Sequence, residues 1–202
     1  KKHLKQMKDN ASFTIERCCE LERTLKHDVI AFTTNVSENI GKPASRWLHF
    51  GLTSSDIIDT AFAVQMNESL KILIADVKRL RKVIGAKARK HMYTPMIGRS
   101  HGINAEPTTF GLKMALMYDE FGRALERLET LKPRVAIGKL SGAVGTSAHL
   151  SPKIEAYVCR KLGLKPAPIA TQVVQRDIHA EFMTTVAIVG ASIERWATEF
   201  RH

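Results

Sequence analysis

Apolar residues recur at helical spacing over most of the chain. Between residues 12 and 40, Ile15, Cys18, Leu21 and Leu25 are followed by Val29, Phe32, Thr33, Val36 and Ile40, mostly in steps of three or four. Gly41 and Pro43 are stop signals for that stretch. Thr53-Ser54-Ser55-Asp56 then carries the Ser/Thr-x-x-Asp/Glu pattern of a helix start. The segment after it runs to Ile84 without proline or internal glycine. Within it, Leu70, Leu73, Val77, Leu80 and Ile84 alternate steps of three and four, the seam of a helix packed nearly parallel to its neighbours. Such a helix is roughly 45–50 Å long.

Residues 92–107 read as a loop that ends this helix. A second long helix follows, with Phe110, Met114, Met117, Phe121, Leu125 and Leu128 on one face. Residues 135–149 are rich in Gly and Ser, with short β-like pieces around Val135, Ile137, Leu140 and Val144. Ser151-Pro152 is an N-cap followed by proline at the first helical position, and Gly163 closes the short helix it opens. After Pro166 and Pro168 a third long pattern runs through Ile178, Phe182, Val186, Val189, Ile193, Trp196 and Phe200. It is still running at His202, so the sequence reads as stopping mid-helix. These elements predict an all-α protein, a bundle of long helices.

Composition narrows the class. The chain is 44% hydrophobic, a normal globular value, and holds no apolar run of membrane-spanning length. Lys1-Lys2-His3-Leu4-Lys5 lacks the apolar core of a signal peptide. Three cysteines, two of them adjacent, form neither a disulfide framework nor a zinc spacing, and read as reduced residues of a cytoplasmic protein. The formal net charge of +11 points to anionic partners. That charge is spread along the chain rather than gathered in blocks, which argues against a dedicated nucleic-acid arm.

Three polar clusters sit at or near helix ends: Lys26-His27-Asp28; His49 with Thr53, Ser54, Ser55 and Asp56; and Ser100-His101. Gln172 and Arg176 are candidates to join them. Each has a plain structural alternative. His27 reads equally as a surface histidine, Thr53–Asp56 as a cap, Gln172 as a helix start, and Arg176 with Asp177 as a solvated pair. The Gly-rich Ser141–Ser147 run lacks the lysine and spacing of a phosphate loop and reads as a hairpin turn. Ser100-His101 is harder to dismiss, because a histidine in a glycine-flanked loop has no packing role. Taken together, the clusters offer one acid/base group and several anion-binding groups. Histidine exchanges protons near neutral pH, and helix N-termini present free N–H groups suited to carboxylate or phosphate. The inventory fits proton transfer on a polyanionic substrate.

Five segments carry a resemblance: KHDVIAFTTNVSE (26–38), HFGLTSSDIIDTA (49–61), GRSHGINAEPTTFGLK (98–113), KLSGAVGT (139–146) and TQVVQRDIHAEFM (171–183). In order and spacing they resemble the bacterial adenylosuccinate lyases, within the fumarase/aspartase superfamily. His101 falls on the family's catalytic histidine. Lys26, His27 and Asp28 fall on a substrate-binding triplet, Thr53 and Ser54 on the pair that binds the succinyl carboxylates, and Gln172 on a substrate-contacting glutamine. Ser100 stands where threonine is commoner, and Asn104 where several relatives have histidine.

The resemblance implies residues 1–52 as the remainder of an N-terminal helical domain and 53–202 as an incomplete central bundle. It implies β-elimination of fumarate from adenylosuccinate, giving AMP, and from the succinylated aminoimidazole carboxamide ribonucleotide of purine biosynthesis. It implies no metal and no organic cofactor, a small-molecule nucleotide substrate, no nucleic acid or membrane partner, a cytoplasmic location, and a homotetramer whose active sites are shared between subunits. The family's opening Arg-Tyr segment and its mobile loop with the serine base have no counterpart here. The chain is thus expected to be an N-terminal and central piece, inactive by itself. Two other readings remain: another fumarate-releasing lyase of the superfamily, and a non-catalytic basic helical scaffold.

Overall fold

The computed structural model describes residues 1–202. Seven helices dominate: α1 (Lys2–Asn10), α2 (Ile15–Leu25), α3 (Asp28–Ile40), α4 (Ser54–Lys90), α5 (Phe110–Val135), α6 (Pro152–Lys161) and α7 (Asp177–Arg201). Four short strands, β1 (Pro95–Ser100), β2 (Ile103–Thr109), β3 (Ile137–Gly138) and β4 (Lys165–Pro166), form two two-stranded sheets, β1 with β2 and β3 with β4. The all-α class and the three long helices expected from the apolar periodicity are present. No helix is long and apolar enough to cross a membrane.

The chain folds into two compact units. One comprises Lys1–Ala61 with Gly138–Val174, the other Phe62–Ile137 with Gln175–His202. In the first, the run from 12 to 40 is two helices rather than one. Lys26 takes the left-handed conformation at φ 54° and ends α2, and His27 caps α3. Asn35, buried on α3, receives the Thr14 N–H at 2.9 Å, while Arg17 bridges to Glu38 at 2.7 Å, so α2 and α3 pack as a hairpin. Val36, Ile40 and Ala44 form a small core with Met7 and Leu48 against it. Ser151 caps α6 and Pro152 follows at its first position, as the sequence predicts.

In the second unit, Thr109 caps α5 through the Leu112 N–H at 3.2 Å. The start of α5 touches the end of α4 directly: a Cβ on Gly111 would lie 2.6 Å from the His91 carbonyl oxygen, so only glycine fits there. Farther along, the Arg81 guanidinium lies 4.2 Å over the Tyr118 ring, and Lys78 bridges to Glu129 at 2.6 Å. Lys113–Glu199, Arg134–Glu181 and Arg195–Glu120 ion pairs fasten α5 to α7. Phe121, Leu128, Leu131 and Trp196 are buried in this unit. The α4 seam is partly realised: Leu70, Val77 and Ile84 are buried, whereas Leu73 and Leu80 are only half-buried.

The expected loop at 92–107 is instead largely a β-hairpin. β1 and β2 pair antiparallel with Ser100 opposite Ile103, leaving His101 and Gly102 as a two-residue turn at φ 57° and 79°. Two successive positive φ values are what a tight hairpin turn of matching twist requires. The hairpin turn expected at Ser141–Ser147 is instead a turn closed by Ser147 N–H to the Ser141 carbonyl at 2.9 Å, with no strand pair flanking it.

Candidate functional site

The helix break at residue 26 puts Lys26, His27 and Asp28 on one exposed corner. Lys26 is held by its N–H to the Glu22 carbonyl at 2.8 Å, and its side chain projects from a left-handed residue. His27 Nδ1 lies 3.4 Å from the Ile30 N–H and 3.3 Å from Asp28 Oδ1. These two contacts need opposite states of Nδ1. With its proton on Nε2 the ring accepts from the backbone at Nδ1 and caps α3; with a proton on Nδ1 it donates to Asp28. Asp28 in turn accepts the Val29 N–H at 2.7 Å.

Thr53 and Ser54 stand at the N-terminus of α4, a helix of 37 residues. The capping work falls to Asp56, whose Oδ2 accepts the Thr53 N–H at 3.0 Å. Asp56, Asp59 and Thr60 are all buried polar side chains in the first two turns of α4. Each pins a distant segment. Asp56 receives Lys139 Nζ at 2.5 Å and the Gly142 N–H at 3.2 Å. Thr60 Oγ1 receives the Lys139 N–H and donates to the Lys139 carbonyl, both at 3.0 Å. Asp59 receives the Val174 N–H at 2.8 Å. The 139–145 turn and the 172–174 segment are thereby brought to the start of α4, and exposed Gln172 comes with them.

His49 lies four residues before Thr53, in a left-handed conformation at φ 59°. Its Nδ1 is buried without a partner. Burial pushes the imidazole below its ordinary pKa, the charge of Asp56 opposes that shift, and His27 adds to it. His49 lies in sequence between the Lys26–Asp28 corner and the Thr53–Asp56 helix start, and all three belong to one compact unit. Six of the seven predicted site residues thus belong to the same compact unit. His101 belongs to the other, exposed at the tip of the β1–β2 hairpin. The turn fixes its backbone through positive φ rather than through packing.

His49 belongs to one of the predicted clusters without a predicted role, and Lys139 and Asp59 fall within segments that carry the resemblance but are not among the predicted site residues. Lys139 carried a signal: it is the one charged residue in the run from Ala136 to His149. A lysine flanked by glycine and apolar residues has to pair when buried.

A family model described as Lyase matches residues 1–202. The chain is 50% identical to the adenylosuccinate lyase of Bacillus subtilis (strain 168) over 201 residues, covering 100% of this chain and 46% of that protein. It is 46% identical to the adenylosuccinate lyase of Staphylococcus saprophyticus over 199 residues, covering 98% of this chain and 46% of that one. Among solved structures, a fumarate lyase from Mesorhizobium sp. BNC1 superposes with a TM-score of 0.89 at 31% identity, covering 98% of this chain and 47% of that chain. The chain therefore spans about half the length of the curated relatives it matches. With the whole of residues 1–202 matched by the family model, the chain belongs to the lyase family.

Proposed function

We propose that the protein is an adenylosuccinate lyase, which eliminates fumarate from adenylosuccinate to leave AMP and performs the same elimination on the succinylated aminoimidazole carboxamide ribonucleotide. The observation that carries this reading is the 50% identity to an adenylosuccinate lyase along 201 residues, which takes in all five functional segments.

The chemistry follows from the substrate. A base takes the proton from the carbon beside a succinyl carboxylate, a role the resemblance gives to the serine of the family's mobile loop, which has no counterpart within residues 1–202. The electron pair of that C–H bond is held on the carboxylate as a second negative charge. The pair then forms the C=C bond of fumarate as the C–N bond breaks, and the departing nitrogen takes a proton. Thr53 and Ser54 supply hydroxyls at the positive end of α4, where donors are most useful to a carboxylate gaining charge. Their place fits because Asp56 takes the capping role. Lys26, His27, Asp28 and Gln172, in the same unit as Thr53 and Ser54, bind the rest of the substrate. His101, exposed on a conformationally fixed turn, is the acid for the leaving nitrogen. Acid catalysis of this kind contributes about 10²–10⁴-fold.

We also infer a homotetramer with sites shared between subunits. α4, α5 and α7 leave Ile72, Val83, Leu112, Leu116, Ile188 and Ile193 exposed. Long helices with apolar residues on an outward face gain by packing against copies of themselves. The whole protein then acts in the cytoplasm, on a small nucleotide.

The structural likeness to a fumarate lyase favours a second reading, elimination from a different succinyl compound. The test is to offer the protein, at its full natural length, adenylosuccinate, argininosuccinate and the succinylated carboxamide ribonucleotide side by side. The proposal expects the two purine compounds to be turned over with the highest kcat/KM. Preference for argininosuccinate would move the assignment to another lyase. Release from none, with binding to polyanions that falls steeply with salt, would favour the basic scaffold.

A further inference from the structure

Asp56 occupies an awkward position for an anion-binding helix start. Its carboxylate rests on the Thr53 N–H, 3.0 Å away, and its side chain is 0% exposed. A helix N-terminus carries roughly half a positive charge. An unpaired carboxylate there would cancel that charge and repel a succinyl dianion, and its burial leaves the repulsion poorly screened. Lys139 removes the difficulty. Its ammonium lies 2.5 Å from Asp56 Oδ1, its side chain is 1% exposed, and a second donor goes to the Gly142 carbonyl at 2.8 Å. Thr60 holds both the backbone N–H and the backbone carbonyl of Lys139, which fixes the point of the chain from which the ammonium reaches Asp56.

We propose that Lys139 is a positioning residue: buried against Asp56, it neutralises the carboxylate that rests on the Thr53 N–H at the α4 N-terminus and ties the 139–145 turn to it, so that the substrate's carboxylate meets a net positive helix end at Thr53 and Ser54. The idea rests on the proposed function for the identity of the ligand. It makes charge balance, rather than packing alone, the reason for burying an ion pair there. Replacing buried ion pairs by uncharged groups is often harmless to stability, so stability by itself is a weak reason for this one.

Charge balance and simple scaffolding predict effects of different sign. If the pair only scaffolds, Lys139→Met and Asp56→Asn both loosen the site. If it balances charge, Lys139→Met exposes the ligand to a lone carboxylate, whereas Asp56→Asn leaves a lone ammonium. Asparagine also keeps an oxygen for the Thr53 N–H. The experiment is calorimetric binding of fumarate and, separately, of AMP to the full-length protein and to Lys139→Met, Asp56→Asn and the double variant, with folding checked by circular dichroism.

The expected result is about tenfold or greater weakening of fumarate in Lys139→Met, unchanged or tighter fumarate in Asp56→Asn, and recovery to within about threefold of the parent in the double variant. AMP affinity should stay within about twofold throughout. Similar weakening in both single variants would overturn the proposal, as would a Lys139→Met protein that binds fumarate normally. Should Lys139→Met fail to fold, the other two variants decide: a folded double variant that has lost fumarate binding contradicts charge balance. A parent that binds fumarate but never forms it from adenylosuccinate defeats the proposed function instead, and leaves this test intact.

Discussion

A Cβ on Gly145 would lie 1.9 Å from the carbonyl oxygen of Ala170. Backbone meets backbone there with no room for a side chain, and Gly145 is also left-handed at φ 79°. This contact seats the 139–145 turn against the segment that carries Gln172. Gly145→Ala must separate the two and strain the backbone, at a cost of about 1–3 kcal/mol in stability. Because Gln172 is two residues from Ala170, KM should rise as well. Gly163, left-handed at φ 71° with nothing within 4 Å of its would-be Cβ, is the control. Gly163→Ala should lower stability by strain alone and leave KM unchanged. Equal KM effects from the two variants would show that the Gly145–Ala170 contact does not position the site.

His101→Asn should cut kcat by about 10²-fold or more while shifting substrate affinity little. The side chain is exposed on a turn, so its loss disturbs no packing. Single-turnover kinetics separate the chemical step from binding. Turnover within a few-fold of the parent would remove His101 from the role of acid.

Much of this was legible in the sequence and some was not, for identifiable reasons. The long helices announce themselves because Leu70, Val77 and Ile84, like Phe121 and Leu128, repeat at a helical period. The division of residues 12–40 does not, because its cause is a left-handed lysine at position 26, a conformation that the identity Lys does not advertise. The hairpin at 95–109 was hidden by strands with little alternation of apolar and polar residues. Its signal was the His101-Gly102 pair, since glycine second in a two-residue connection suits a turn with both φ values positive. The candidate site residues were found by motif. The supports beneath them were not, because Asp56 and Lys139 lie 83 positions apart and Asp59 and Val174 lie 115 apart. Such partners share no local pattern.

Thr53→Val should weaken fumarate binding by about 1.5–3 kcal/mol, the worth of a hydrogen bond to a charged group, and leave AMP binding nearly intact. Valine keeps the shape and removes only the hydroxyl. Asp56, not the Thr53 hydroxyl, receives the backbone N–H at this helix start, so the fold should tolerate the change. Calorimetry with each ligand is the check. Equal losses for fumarate and AMP would make Thr53 a general structural element.

Glu120 gives the α5–α7 contact a dependence on pH. Burial alone would raise its pKa, but hydrogen bonds from Ser192, Trp196 and Arg195 outweigh burial and hold the carboxyl below its ordinary range. A carboxylate with a lowered folded-state pKa contributes stability that is complete above the unfolded value, about 4.3, and is lost as pH falls through the folded value. Urea midpoints measured from pH 7 downward should therefore fall less steeply on the acid side in Glu120→Gln than in the parent. Trp196→Phe, which removes the 2.9 Å donor to Glu120, should cost about 1–3 kcal/mol at pH 7. An acid limb unchanged by Glu120→Gln would contradict this origin.

The most direct measurement is product stoichiometry from adenylosuccinate with the full-length protein at neutral pH, AMP and fumarate being quantified in the same sample. The account predicts that the two appear together in equal amounts, and that His101→Asn slows both alike. Adenylosuccinate left intact by a folded parent, or AMP formed without matching fumarate, would contradict it.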